Sequence, residues 1–220
     1  VSKVEVLYTK FTDQLSEYKF KKLLNRLPVH LQEKNAKFLR WQDRQANLFG
    51  KLLVHTGLKE YGYDPDCLKL LQIDLNGRPY IDANIDFNIS HSNNYVLCAI
   101  SKTTKVGIDI EKITPIDFYN FDEVMTDKQI NTIKNAQDAL KTFFNYWTIK
   151  ESVVKADGRG LEIPLLDIII NTNTATYNQT VYHINNLNID QNYSCNLATK
   201  SSDLNLKLKY IDINAFNKLL

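Results

Sequence analysis

At 220 residues the chain is long enough to bury a core, as one domain or as two small lobes. Its 27 basic and 25 acidic side chains leave a formal charge of +2, which excludes the basic excess of a dedicated nucleic-acid binder and leaves anionic small molecules or an acidic partner open. No apolar run approaches the ~18 residues of a membrane span, and Val1-Ser2-Lys3-Val4 does not read as a signal peptide.

A short apolar strand is expected over 4–8, followed by a helix over 13–27 that Pro28 stops. The period is helical again over 33–56, where Lys34, Lys37, Arg40 and Arg44 form a basic face and Gly57 ends the element. A strand over 68–75 leads into the turn Asn76-Gly77-Arg78-Pro79, in which Asn-Gly supplies positive φ. The polar cluster Phe87-Asn88-Ile89-Ser90-His91-Ser92-Asn93-Asn94 reads as the loop after a strand end, presenting hydroxyl and imidazole groups ahead of an apolar strand over 95–100.

Alternation over 106–111 predicts a strand that turns Asp109 and Glu111 to one face and Ile108 and Ile110 to the other. Helical turns are expected over 115–136, with Thr126 as N-cap and Gln129 completing a capping box. Asp138 opens the central helix, which sets Glu151 and Lys155 four residues apart on one side, anchors itself through Trp147 and stops at Gly158 and Gly160. Beyond Pro164 strands are expected over 165–171, 176–184, 193–199 and 204–211, with a short helix at the end. Cys67, Cys98 and Cys195 lie in or beside apolar runs without C-x-x-C spacing, so buried free thiols and a reducing, cytoplasmic setting are expected.

Two carboxylates one strand repeat apart repel by roughly a kcal/mol at surface dielectric and by more when half buried, which invites a cation between them. An all-oxygen pair suits Mg²⁺, which takes one or two carboxylates and completes its shell with water and substrate phosphates. Taken alone, Glu151 and Lys155 are an ordinary helix-surface pair of about 0.3–0.5 kcal/mol. A faint internal repeat relates 44–58 to 147–161, both amphipathic and both ending in Gly-Leu, and relates the cysteine-centred strands near Cys98 and Cys195. The expected architecture is α+β: a pseudo-dimer of two similar lobes, 1–104 and 105–220, with the site at their interface.

Four motifs in order, Asn76-Gly77-Arg78-Pro79, Phe87 to Ser92, Gly107-Ile108-Asp109-Ile110-Glu111-Lys112 and Trp147-x-x-Lys150-Glu151-Ser152 with Lys155 and Gly158-Arg159-Gly160-Leu161, resemble the 4′-phosphopantetheinyl transferases of the surfactin-synthetase-activating type. The resemblance implies Mg²⁺-dependent transfer of phosphopantetheine from coenzyme A to a serine of an acyl or peptidyl carrier protein, releasing 3′,5′-ADP. It implies that Asp109, Glu111 and Glu151 hold the metal, that Glu151 is the base, and that Lys155 neutralises phosphate. Ser90, His91, Arg78, Pro79 and Lys34 match coenzyme-binding positions. Gln129 stands where many relatives have a third acid, while its place three residues after Thr126 makes it a capping residue. Leu31 stands where a basic residue of the 3′-phosphate cluster is usual, which leaves Lys37, Arg40 or Arg44 to compensate. Lys150 has no assigned role. A monomer is expected, bound to neither nucleic acid nor membrane, with Phe118, Tyr119 and Phe121 as a possible carrier dock. The competing readings are a catalytically weak coenzyme A or nucleotide-binding protein of the same fold and, more remotely, a Mg²⁺-dependent nucleotidyl transferase or hydrolase, for which no P-loop is present.

Overall fold

The computed structural model describes residues 1–117 and 121–217. Two long helices organise it, each laid on the outer face of its own sheet. The first sheet has the order β11-β1-β5-β4, from strands β1 (Ser2–Lys10), β4 (Asp86–Ser92), β5 (Tyr95–Ser101) and β11 (Leu204–Tyr210). The second has the order β6-β10-β9-β8-β7, from β6 (Val106–Lys112), β7 (Ile169–Ile170), β8 (Thr174–Tyr177), β9 (Thr180–Asn186) and β10 (Tyr193–Thr199).

Helix α3 (Trp41–Glu60) covers the first sheet and α5 (Ala139–Asp157) the second. Small residues permit the close approach. A Cβ on Gly50 would stand 3.1 Å from Ile89 and one on Gly57 3.1 Å from Ile100, so Gly57 lets the helix lie down on the strands and does not end it. The chain turns out of α3 after Tyr61, where Gly62 takes φ +84°. Between the sheets, Val4, Val6, Leu97 and Ala99 pack with Ile108, Ile110, Cys195 and Leu197 in one buried cluster. Tyr95 and Tyr193, at the equivalent starts of β5 and β10, meet edge to face at 4.8 Å.

Several expected elements resolve differently. The helix expected over 33–56 is two, because α2 (Val29–Ala36) ends before α3 begins. The buried Asn35 amide donates to Arg44 O at 2.7 Å and to Asn47 Oδ1 at 3.0 Å, folding α2 back against α3 and leaving Leu39 almost fully exposed in the connection. The strand expected over 68–75 is a 3-10 turn, Cys67–Leu70, followed by the two-residue β2 (Gln72–Ile73), which pairs with β3 (Pro79–Tyr80) around Asn76-Gly77. The strand expected over 176–184 is a hairpin whose turn residues Asn178 and Gln179 have φ of 46° and 63°. The span expected as a strand over 165–171 holds only β7 after a 3-10 turn.

The last strand changes the lobe assignment. β11 runs parallel to β1, pairing Ser2 with Leu204 and Tyr8 with Tyr210, and Phe216 joins the core beneath α3. The expected second lobe, 105–220, is therefore corrected at its end: 204–217 completes the first sheet and core, because β1 has a free edge that only a returning strand fills. Helices α1 (Glu17–Leu24), capped by Ser16, and α4 (Asp127–Lys134) complete the set. All three cysteines are free and buried, and no helix among the described residues is long and apolar enough to cross a membrane. Phe118 and Tyr119 lie outside the described residues. Phe121 packs edge to face on Phe143 at 4.9 Å and on Trp147 at 5.9 Å, so it and the half-buried Trp147 anchor the α4–α5 cluster.

Candidate active site

The site forms where β4 and β6, edge strands of different sheets, lie side by side. No backbone ladder joins them. Alternate side chains of β4 take its place: Asp86 Oδ2 accepts from Val106 N at 2.8 Å, Asn88 Oδ1 from Ile108 N at 2.9 Å, Ser90 Oγ from Ile110 N at 3.3 Å and Ser92 Oγ from Lys112 N at 3.0 Å. Each partner lies twenty residues away, so one period-two row of short acceptors satisfies the edge of β6. The segment expected as a loop is thus a strand, with the true hairpin turn at Asn93, φ 49°. The overlooked signal was the alternation Asp86-x-Asn88-x-Ser90-x-Ser92.

Two rungs of this row also hold the carboxylates. Ser90 Oγ donates to Asp109 Oδ1 at 3.0 Å, and Ser92 Oγ donates to Glu111 Oε2 at 2.8 Å. The α5 helix supplies the charge partner: Lys155 Nζ lies 2.5 Å from Asp109 Oδ1 and 3.2 Å from Ser90 Oγ. Asp109 Oδ2, buried, has no hydrogen-bond partner. Burial first and the Asp109 charge second hold the carboxyls of Glu111 and Glu151 above the usual carboxylate range. His91 is solvent-accessible on one side, yet partial desolvation and then the Lys155 charge hold its imidazole below its ordinary value.

A second buried network backs the helix. Asn196 Nδ2, on β10 opposite Asp109, donates to Thr148 Oγ1 at 2.8 Å and to Asn145 Oδ1 at 3.1 Å, and Thr148 also meets Ser194 Oγ at 2.9 Å. Lys150 is fully buried, donating to Val124 O at 2.7 Å and Leu165 O at 2.8 Å, and burial lowers its pKa to about 8. It ties the segments on both sides of α5 to the helix. Gln129 Oε1 accepts from Thr126 N at 3.1 Å while Thr126 Oγ1 accepts from Gln129 N at 3.3 Å, the reciprocal capping box.

Of the expected site residues, Asp109, Ser90 and Lys155 are in direct contact, while Glu111, Glu151 and His91 lie within electrostatic range. Among the described residues no group of three or more His, Cys, Asp or Glu side chains forms a metal-binding arrangement. Lys155 pairs with Asp109 and Ser92 donates to Glu111. The orphaned Asp109 Oδ2 and the raised carboxyls of Glu111 and Glu151 are nevertheless the acceptors a divalent cation requires.

Arg78, expected at a coenzyme-binding position, lies in the seam between the sheets. Its guanidinium donates to Asp86 Oδ2 at 2.8 Å, Val106 O at 2.9 Å, Phe87 O at 3.3 Å and the carbonyl of Lys155, and it is only 11% exposed. It clamps the seam and caps the last turn of α5, because the carbonyls there have no helical partner. Pro79 starts β3 opposite Ile73, half buried, and Lys34 is exposed on α2.

Comparison with known proteins places this arrangement. A model of the 4′-phosphopantetheinyl transferase superfamily matches residues 105–206, and a model of the 4′-phosphopantetheinyl transferase N-terminal region matches residues 14–103. The chain is 33% identical over 181 residues to 4′-phosphopantetheinyl transferase gsp of Aneurinibacillus migulanus, spanning 80% of this chain and 76% of that one. It is 29% identical over 156 residues to 4′-phosphopantetheinyl transferase Sfp of Bacillus subtilis (strain 168), 69% of each. It is 32% identical over 146 residues to L-aminoadipate-semialdehyde dehydrogenase-phosphopantetheinyl transferase of Mus musculus, 59% of this chain and 47% of that one. The fold and these matches together define an α+β transferase of the phosphopantetheinyl group. The chain belongs to the 4′-phosphopantetheinyl transferase superfamily and is Sfp-like.

Proposed function

We propose that this enzyme moves the 4′-phosphopantetheine group from coenzyme A to a serine hydroxyl of an acyl or peptidyl carrier protein, releasing 3′,5′-ADP, with Mg²⁺ required. The observation that carries this reading is Asp109: one oxygen is held by Lys155 and Ser90, and the other is buried and unpartnered beside two further carboxyls. A Mg²⁺ held by Asp109, Glu111 and Glu151 would neutralise charge on the pyrophosphate oxygens.

The chain's own groups supply the rest. Phosphoryl transfer depends on positioning and charge neutralisation more than on covalent chemistry. Glu151, half buried on α5 in range of the Asp109 charge, is the carboxylate assigned to accept the serine proton. Lys155, already paired with Asp109, is placed to stabilise charge developing on the departing 3′,5′-ADP oxygen. Ser90 and His91 lie along β4 next to these groups, positioned to meet phosphate. Gln129 is engaged in its capping box with Thr126.

The test is intact-mass analysis of an apo carrier protein incubated with the enzyme, coenzyme A and Mg²⁺, with Glu151→Gln alongside. Gain of one phosphopantetheine that disappears with the variant and with chelator is expected. Absence of gain on several carriers, with metal-dependent coenzyme A binding retained, would make the protein a binder and not a transferase.

A further inference from the structure

Ser92 closes the row of β4 side chains, and its single hydroxyl proton has one place to go. Its Oγ accepts from Lys112 N at 3.0 Å, so the proton turns away from that amide and onto Glu111 Oε2 at 2.8 Å. Ser90 repeats the pattern one rung earlier, accepting from Ile110 N at 3.3 Å and donating to Asp109 Oδ1 at 3.0 Å. In both rungs the carboxylate stands nineteen residues after its serine, so the period of two in β4 and β6 builds the same tether twice. Each tether takes one oxygen of a carboxylate and leaves the other. At Asp109 the tethered Oδ1 also meets Lys155 Nζ, and Oδ2 is the buried, unpartnered atom. At Glu111 the Ser92 hydroxyl is the one hydrogen-bond donor among the described residues.

Resting on the proposed Mg²⁺ chemistry, we propose that Ser92 sets the ion specificity of the site: by holding Glu111 Oε2 it limits Glu111 to ligation through one oxygen, which suits Mg²⁺ and disfavours Ca²⁺. Ser90 and Lys155 impose the same limit on Asp109. Mg²⁺ demands a near-octahedral shell and keeps several waters, whereas Ca²⁺ takes about 6–8 oxygens and often grips a carboxylate with both. Two-oxygen binding of Ca²⁺ must break a charge-assisted hydrogen bond at each carboxylate, and at Glu111 it leaves the Ser92 proton without its acceptor. Ser92 separates this effect from the rest of the site, because Ser90 also touches Lys155 and Ser92 does not. Ser92 is half buried at the strand end beside the Asn93 turn, and its amide partner Lys112 is exposed, so water replaces the hydroxyl there when it is removed.

Mn²⁺ is the probe. Electron paramagnetic resonance counts the free ion over the full chain with coenzyme A, and displacement by Mg²⁺ or by Ca²⁺ gives the relative affinity for each without turnover or carrier protein. Ser92→Ala should shift the Ca²⁺-to-Mg²⁺ affinity ratio toward Ca²⁺ by roughly tenfold, the scale of one hydrogen bond to a charged group. Ser92→Thr keeps the hydroxyl and should keep the wild-type ratio. Ser92→Cys, with the volume kept and only a weak donor, should move with Ser92→Ala and replaces it if the alanine variant folds poorly. A ratio unmoved in the alanine and cysteine variants, or a loss shared equally by both ions, overturns the inference and leaves the transferase reading standing. A wild type that binds coenzyme A but retains no Mn²⁺ overturns the inference together with the metal requirement, and one that binds neither overturns the transferase reading as well.

Discussion

The guanidinium of Arg78 donates to the backbone carbonyl of Lys155, the residue whose ammonium holds Asp109. One side chain from the β2–β3 turn therefore fixes the end of α5, and with it the height of Lys155 over β6. Arg78 also bonds Asp86 and two strand carbonyls, so its removal leaves several buried acceptors without a donor. Arg78→Ala should cost about 3 kcal/mol, lowering Tm by roughly 6–12 °C for a chain of this size. Arg78→Lys should recover only part, because an ammonium lacks the planar fork. An Arg78→Ala protein with unchanged Tm and only a raised KM for coenzyme A would make Arg78 a ligand and not a clamp.

Gly107 is held to glycine by backbone, not by flexible side chains. A Cβ there would fall inside the van der Waals radii of Ser152 O and Ala156 N on α5. Neither atom can yield without lifting the helix that carries Glu151 and Lys155. Gly107→Ala should destabilise by about 3 kcal/mol or more, while Gly50→Ala, opposed by the Ile89 side chain, should cost far less. Chemical denaturation of both variants decides the order.

Removing the base without changing shape should separate chemistry from folding. Glu151→Gln is expected to lower kcat roughly 10²–10⁴-fold while leaving the thermal midpoint at neutral pH equal to or above that of the wild type, since it removes a partly buried charge beside Asp109. Single-turnover kinetics alongside calorimetric scans check both halves. A variant with nearly full kcat would remove Glu151 from the base role.

Lys51 carries a pH signature of its own. Burial, then the Lys34 charge on α2, lowers its pKa to about 8, with Cys98 on β5 acting weakly the other way. An unfolded lysine titrates near ~10.4, so over about pH 8–10.4 the unfolded chain binds more protons at this site and stability rises with pH. Below that window the penalty is fully present. Lys51→Met should therefore stabilise the ligand-free protein at pH 7, by on the order of 3 kcal/mol, and the gain should shrink as pH rises through the window. A gain independent of pH, or a loss at pH 7, contradicts a charged, unpartnered Lys51.

What could be read from the chain alone was whatever local period and capping chemistry decide. The alternation of Val106 to Glu111 put Asp109 and Glu111 on one face, the caps Asp138 and Gly158 bounded α5, and Thr126 with Gln129 formed the capping box. The motif resemblance identified the family because it rests on residue types at fixed spacing, which any single chain displays. Tertiary structure decided the remainder. Contacts distant in sequence returned β11 to β1, turned the apparent loop 87–94 into an edge strand whose side chains serve β6, split the helix expected over 33–56 at the Asn35 bonds, buried Lys150 between two carbonyls and took Arg78 into the seam. The physical reason is common to all of these: a polar group's role depends on which donor or acceptor lies within about 3 Å once the chain is packed, and local periodicity carries no record of that neighbour.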